Sequence, residues 1–200
     1  MNLNDMTHES LLDDCWQRLE AGVAAAAHPW HTAVLGNCAG GRPQSRTVVV
    51  RAVDRRRRRI VCHTDARSPK CRAFAGAPAA SWLLYDPDAR IQLRLSGPVG
   101  VHTGDELADA QWRASRLGSR RCYLVTAPPG EIIDAPVSTL PEALRERRPE
   151  PGEVEAGRDN FAVLAGGIDT IDWLRLTSDG HRRARFRYED GRWWADWVAP

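Results

Sequence analysis

Three consecutive valines, Val48, Val49 and Val50, bracketed by Arg46 and Arg51, constrain this chain most. β-branched side chains lose rotamer freedom in a helix and pack well on a pleated surface, so residues 44–54 are expected to form a strand. Side chains alternate along a strand, so Arg46 and Arg51, five positions apart, face opposite sides. One strand thereby offers cations to two places. The segment His63-Thr64-Asp65-Ala66-Arg67-Ser68-Pro69-Lys70 comes next. It reads as the end of a short strand, a turn and a helix start, with Ser68 able to cap and Pro69 in the first helical position. Backbone N–H groups, a hydroxyl and a cation then meet at one helix start, which suits a phosphate. Lys70 is the only lysine among 28 basic residues, so a compact ammonium here reads as a specific choice.

The rest of the chain alternates as strands do. Residues 9–27 are the exception: Leu11, Leu12, Cys15, Trp16 and Leu19 recur at helical spacing behind early acids. Residues 31–38 and 44–54 form a hairpin across Ala39-Gly40-Gly41-Arg42-Pro43. The five arginines at 55–59 read as a solvated turn, with RNA or acidic lipid as the alternative partner. A strand at 60–65, a short helix at 68–76 and a strand at 79–85 follow. A long strand at 90–101 is interrupted at Gly97-Pro98, where proline suggests a bulge or a sheet edge. Residues 105–115 read as a helix with Leu107, Ala110 and Trp112 inward. Residues 126–157 read as a long surface excursion or lid, with a charged helix around 140–147. Residues 160–176, 182–188 and 193–198 close the chain as β-structure.

Alternating βαβ units are missing, which argues against a doubly wound parallel sheet. No GxGxxG separates a strand from a helix, which argues against a Rossmann dinucleotide site. The expected fold is mainly β, a small antiparallel barrel with accessory helices. It is expected as one domain over residues 1–200, with its N-terminal helix within 1–28 and the excursion at 126–157.

Composition closes off other classes. With 42% hydrophobic residues, 200 residues can build a sizeable core. The 28 basic and 26 acidic residues leave a net charge of +2, which gives no electrostatic case for nucleic acid or membrane. No apolar run approaches the roughly 18 residues of a membrane span, and the N-terminus is polar and acidic; a cytoplasmic protein is expected. The five cysteines, at 15, 38, 62, 71 and 122, contain no CxxC and read as reduced, mostly buried thiols. The six histidines form no HExxH and no zinc spacing with cysteine, so no metal is expected.

The motifs RTVVVR (46–51), HTDARSPK (63–70), IQLRLSG (91–97), SRLGS (115–119) and Trp173 followed by HRRARF (181–186) resemble, in their order and spacing, those of pyridoxamine 5′-phosphate oxidase-like flavoproteins. The resemblance covers roughly residues 30–125 and 160–200. It implies the FMN-binding split barrel. It also implies that Arg46, Thr47, Val48, Val49 and Arg51 lie along FMN. His63, Thr64, Ser68 and Lys70 would hold the ribityl chain and phosphate, with Pro69 where the family has arginine. Gln92 would touch the flavin, and Trp173 and Arg185 would complete its pocket. On the substrate side, Arg51, Arg116 and Ser119 would clamp an anionic group, and His181 and Arg183 would be the catalytic pair. Further features depart from the family. Arg51 replaces a lysine, Trp112 replaces a tyrosine, His181-Arg182-Arg183 exchanges the order of an arginine and a histidine, and no Gln-Ser pair stands near residues 122–125. Relatives place FMN between two subunits, so the resemblance implies a homodimer, as the commonest oligomeric symmetry also favours.

The function these readings imply is an FMN flavoprotein oxidoreductase resembling pyridoxamine/pyridoxine 5′-phosphate oxidase. It would oxidise or reduce a small anionic substrate, a vitamin B6 phosphate among the candidates. The departures speak against pyridoxamine phosphate more than against the flavin. Histidine titrates near neutrality, so His181 is the best acid–base candidate. Alternatives are a flavin or vitamin B6 phosphate carrier without turnover, an FMN reductase using a nicotinamide donor, and a barrel that binds nucleic acid through residues 55–59.

Overall fold

Period-two alternation governs most of the structure, a computed structural model that describes residues 6–200. Nine strands form one sheet: β1 (Thr32–Ala39), β2 (Arg42–Asp54), β3 (Arg59–Asp65), β4 (Ala79–Asp86), β5 (Ile91–His102), β6 (Phe161–Gly167), β7 (Thr170–Arg175), β8 (Arg182–Glu189) and β9 (Arg192–Val198). Their order is β4-β1-β2-β3-β6-β5-β7-β8-β9, and β4 also pairs with β5. That last pairing closes the first six strands into an antiparallel barrel, which removes their free edges. β7, β8 and β9 continue the sheet from β5. The expected mainly β barrel is the observed fold.

The strands form where side chains alternate between core and solvent. In β4, Ala80, Trp82, Leu84 and Asp86 are buried and the residues between them are exposed. In β2, Val48 and Val50 are buried, while Thr47 and Arg51 face outward. The predicted hairpin register appears as Thr32 opposite Val49 through Ala39 opposite Arg42.

The chain divides into two compact units. The first comprises the described residues up to Cys62, with Ala77–Val99 and Ala165–Pro200. Its helix α1 (His8–Ala24) starts where Thr7 accepts from the Ser10 N–H in a capping box, and it buries Leu11, Cys15, Trp16 and Leu19. The expected N-terminal region begins earlier, and residues 1–5 lie outside the described residues. Trp16 meets Trp193 of β9 edge to face. The arginine-rich turn is tied to its own unit. Arg55 pairs with Asp13, Arg57 with Asp54, and Arg58 with Asp169 while stacking on Tyr188.

At Gly97-Pro98 β5 stays paired with β4, with Gly97 opposite Ala80 and Pro98 opposite Ala79, while its ladder with β7 ends at Ser96. Glycine stands there because the backbone of Gly167 packs directly against it and leaves no room for a Cβ. A register shift between β2 and β3 lies between Val50 and Ala52.

The second unit comprises His63–Gly76 and Gly100–Leu164. It carries α2 (Pro69–Gly76), α3 (Glu106–Ala114) and the short helices α4 (Leu117–Arg120) and α5 (Pro151–Val154). Its core is aromatic: Phe161 lies edge to face with His63, Trp112 and Tyr123. The charged helix expected around 140–147 is absent. A single 3₁₀ turn, Glu142–Leu144, stands in its place. Pro141 and Pro149 bracket too short a run for a helix to nucleate. Arg145 and Arg147 bond instead to backbone carbonyls and to Glu153.

Candidate functional site

In the first unit, β2 places Arg46 opposite Leu35. Its guanidinium donates to the Leu35 carbonyl at 3.3 Å, to Asn37 Oδ1, and to Gln44 Oε1 at 3.2 Å. All three acceptors are neutral. Burial pushes the Arg46 pKa down, the mark of a cation with no nearby counter-charge. Asn37 and Gln44 also line a cavity of about 610 Å³ bounded by Cys38, Ser45 and Ser81. The size lies within the usual range for small-molecule sites. A half-buried arginine held only by neutral groups, two of which line this cavity, fits an anionic ligand.

A second cluster lies on the arginine-bearing face of β5, β7 and β8. The register aligns Arg94, Asp172 and Arg185 in one row, and Gln92, Leu174 and Arg183 in the next. Asp172 is only 7% exposed. It accepts from Arg183 at 3.0 and 2.8 Å and from Arg94 at 2.7 Å, with Arg185 at 3.6 Å. Three sequence-named residues, Gln92, Arg183 and Arg185, thus share a face. Trp173 does not; it points to the other side and is 1% exposed. Its indole N–H is buried with no hydrogen-bond partner among the described residues. His181 is exposed in the turn before β8, and its Nδ1 accepts from the Thr177 N–H at 3.2 Å. The neutral ring then carries its proton on Nε2.

In the second unit, Lys70 Nζ donates to Ser68 Oγ at 2.7 Å at the start of α2. Ser68 and Thr64 are buried. His63 Nε2 meets Gln111 Oε1 at 2.9 Å. A hydroxyl and an ammonium side by side at a helix start are donors suited to a phosphate. Arg116, the N-cap of α4, and Ser119 within α4 line a separate cavity of about 550 Å³. Trp112 is a core residue: it is 4% exposed, and its indole N–H donates to Glu155 at 3.4 Å. Arg51 is exposed on β2. Among the described residues no group of His, Cys, Asp or Glu is arranged to hold a metal ion. Among the same residues no helix is long and apolar enough to cross a membrane.

Several residues of these clusters escaped the sequence reading. Asp172 is the hub of the arginine face, and Arg94 sits two positions from Gln92 on the same side of β5. Their signal was present, since the alternation in IQLRLSG puts Arg94 beside Gln92. Asn37, the partner of Arg46, has no such signal, because it depends on the register between β1 and β2.

The chain is similar to a defined group of proteins. Residues 13–103 match the family model described as pyridoxamine 5′-phosphate oxidase, FMN-binding domain. A pyridoxine/pyridoxamine 5′-phosphate oxidase of Paraburkholderia phytofirmans is 39% identical over 80 residues, which is 40% of this chain and 36% of that protein. The same-named protein of Pseudomonas paraeruginosa is 28% identical over 167 residues, covering 81% of this chain and 74% of that one. Among solved structures, a pyridoxamine 5′-phosphate oxidase-related, FMN binding protein from Nostoc punctiforme superposes with a TM-score of 0.76. It is 21% identical, over 98% of this chain and 100% of that one. PhzG from Burkholderia lata, solved in complex with tetrahydrophenazine-1-carboxylic acid, superposes at 0.71 with 17% identity, over 98% and 95%. The class is therefore the split barrel. Residues 13–103 resemble the FMN-binding domain of the pyridoxamine 5′-phosphate oxidase-like family, as the motifs suggested.

Proposed function

We propose that this protein binds FMN and works through it as an oxidoreductase on a small anionic substrate. The observation that carries the reading is Arg46, a half-buried cation whose partners are all neutral, within the segment that matches the FMN-binding family. Arg46, Thr47, Val48, Val49 and Arg51 of β2 are the proposed flavin-binding strand. His63, Thr64, Ser68 and Lys70 are the proposed ribityl and phosphate donors, and Gln92 and Arg185 the remaining flavin contacts; Trp173, implied by the resemblance, is buried on the opposite side of β7 and is left out. Bound FMN would supply the exchange of a hydride with the substrate. The chain's own residues bind, orient and neutralise. Arg183, fixed by Asp172, presents a cation of defined direction to an anionic substrate, and His181 holds a proton at Nε2. Arg51, Arg116 and Ser119 are proposed to bind the substrate's anionic group. A twofold homodimer is part of the reading.

The test is direct. Purified protein should carry or take up FMN, show flavin absorbance bands, and quench flavin fluorescence on titration. A colourless protein that leaves added FMN fully fluorescent would refute the proposal.

A further inference from the structure

The first unit surrounds Arg46 with acceptors of a particular kind. On β1, Leu35 and Asn37 point inward two positions apart, and on β2 Arg46 stands opposite Leu35 and Gln44 opposite Asn37. One terminal nitrogen of the guanidinium donates to the Leu35 carbonyl and to Asn37 Oδ1, the other to Gln44 Oε1. A guanidinium carries five N–H bonds, so Nε and one hydrogen of Nη2 remain for a ligand. Asn37 is only 8% exposed, which makes it a fixed part of the wall. Its amide nitrogen donates to the Cys38 carbonyl at 3.4 Å, so Oδ1 is the atom turned to Arg46. An aspartate has the same size and would accept the same bond, but it would cancel the charge. Among the described residues Arg46 belongs to no ion pair. Burial lowers its pKa, and the opposing influence comes from the buried Cys62 thiol.

We propose that Asn37 is a positioning residue for the phosphate of FMN: it aims the Arg46 guanidinium through a neutral oxygen and leaves its charge uncompensated, so that the protein selects the phosphorylated flavin over riboflavin. The inference deepens the proposed function, on which it rests. A carboxylate at position 37 would hold the guanidinium as well as the amide does, but as an ion pair that competes with the phosphate for the same cation. Gln44 has the same part at the rim. It is exposed, accepts at 3.2 Å, and lines the 610 Å³ cavity together with Asn37. Solvent and salt screen a charge there more than one at Asn37.

Fluorescence titrations of the full chain with FMN and with riboflavin test this. Wild type should bind FMN more tightly than riboflavin. N37D keeps size and acceptor and adds a counter-charge. It should weaken FMN binding by about tenfold or more, the worth of one charge-assisted bond, and leave riboflavin affinity as in wild type. Q44E changes an exposed side chain that folding does not depend on. It should show the same pattern to a smaller degree, and the difference should shrink as salt is raised. Unchanged FMN affinity in both variants would overturn the role of Asn37, and so would a riboflavin affinity that falls by the same factor as that for FMN. Wild-type protein that binds the two flavins equally well would overturn the selectivity while leaving flavin binding in place. Wild-type protein that binds neither would remove the flavin reading itself, and this inference with it.

Discussion

Arg183 grips Asp172 along one edge of its guanidinium, Nε to Oδ1 at 3.0 Å and Nη2 to Oδ2 at 2.8 Å. Two parallel bonds fix both the position and the plane of the arginine. The same carboxylate accepts from Arg94 at 2.7 Å and has Arg185 at 3.6 Å. Three cations therefore share one anion, and the sheet face keeps a positive excess. Burial alone would raise the Asp172 pKa, but the bonds from Arg183 and Arg94 outweigh it and hold the carboxyl below its ordinary value.

Replacing Asp172 by Asn should destabilise the fold by about 2–3 kcal/mol at neutral pH. Breaking a fully buried ion pair costs roughly 3–5 kcal/mol, and the partly exposed arginines discount that figure. The sign of the pH dependence follows from the depressed pKa. The stabilisation is complete above the unfolded carboxyl pKa of about 3.9 and is lost as pH falls through the lower folded value. Urea denaturation of wild type and D172N should therefore show a gap that is constant from neutral pH to about pH 5 and narrows in acid. A gap that stays constant into strong acid would show that Asp172 does not act through its charge.

Gly97→Ala should be more damaging than an ordinary surface change. A Cβ at this position overlaps the Gly167 carbonyl, and backbone on both sides leaves little room to yield. Overpacking of this kind costs about 1–3 kcal/mol or more. Thermal unfolding should show a marked fall in Tm for G97A. Gly104→Ala, at a position where a Cβ meets nothing within 4 Å, should change little.

The two outcomes show what was legible in the sequence. The valines at 48–50 and the alternation of 79–85 fixed strands correctly because burial of every second side chain is a local property. Gly97 was noticed as a punctuation mark, but the close approach that requires glycine there comes from some 70 residues away at Gly167. The charged run at 140–147 looked helical by composition, but the flanking prolines leave too short a segment. For the candidate site, alternation put Gln92 with Arg94 and Arg183 with Arg185. Nothing local revealed that Asp172 would bind the arginines together, because that depends on the register among β5, β7 and β8. Trp173 illustrates the reverse: its neighbour Asp172 faces the arginines, so alternation alone turns Trp173 into the core.

Replacing Arg46 and Lys70 together by alanine should weaken FMN binding by about 3 kcal/mol or more, roughly a hundredfold. Each charge-assisted bond to a phosphate contributes about 1.5–3 kcal/mol, and the double variant removes both cations. Quenching of flavin fluorescence measures it. Wild-type affinity in the double variant would mean that FMN, if bound, is held elsewhere.

Sedimentation should give a particle of twice the 22.3 kDa chain. Trp194 and Trp197 on the last strand are 42% and 48% exposed, one on each face of the sheet. Symmetric dimers are the commonest way such surfaces are covered. A monomer that binds FMN tightly would exclude the dimeric reading.

Oxidation of pyridoxamine or pyridoxine phosphate should be weak or absent, despite the names of the relatives. The family resemblance implies a tyrosine at position 112, whose hydroxyl would meet the substrate phosphate. Here Trp112 is buried against Phe161 and Tyr123, and its one polar hydrogen goes to Glu155. Loss of a hydroxyl partner costs about 1–3 kcal/mol in binding. Arg183 stands where the resemblance implies a histidine, and Asp172 holds it in place, so a proton-bearing ring is replaced by a fixed cation. His181, at the position of the implied arginine, lies exposed in a turn. Groups misplaced by about an ångström at the reacting carbon can cost a hundredfold. The arginines still favour an anion, so pyridoxal phosphate or a similar monoester should bind without efficient turnover. Oxygen consumption with both B6 phosphates measures this, alongside direct binding. Turnover of about 1 s⁻¹ or faster would show that a tryptophan at 112 and an arginine at 183 support the oxidase reaction, and the protein would then be an ordinary oxidase of this vitamin.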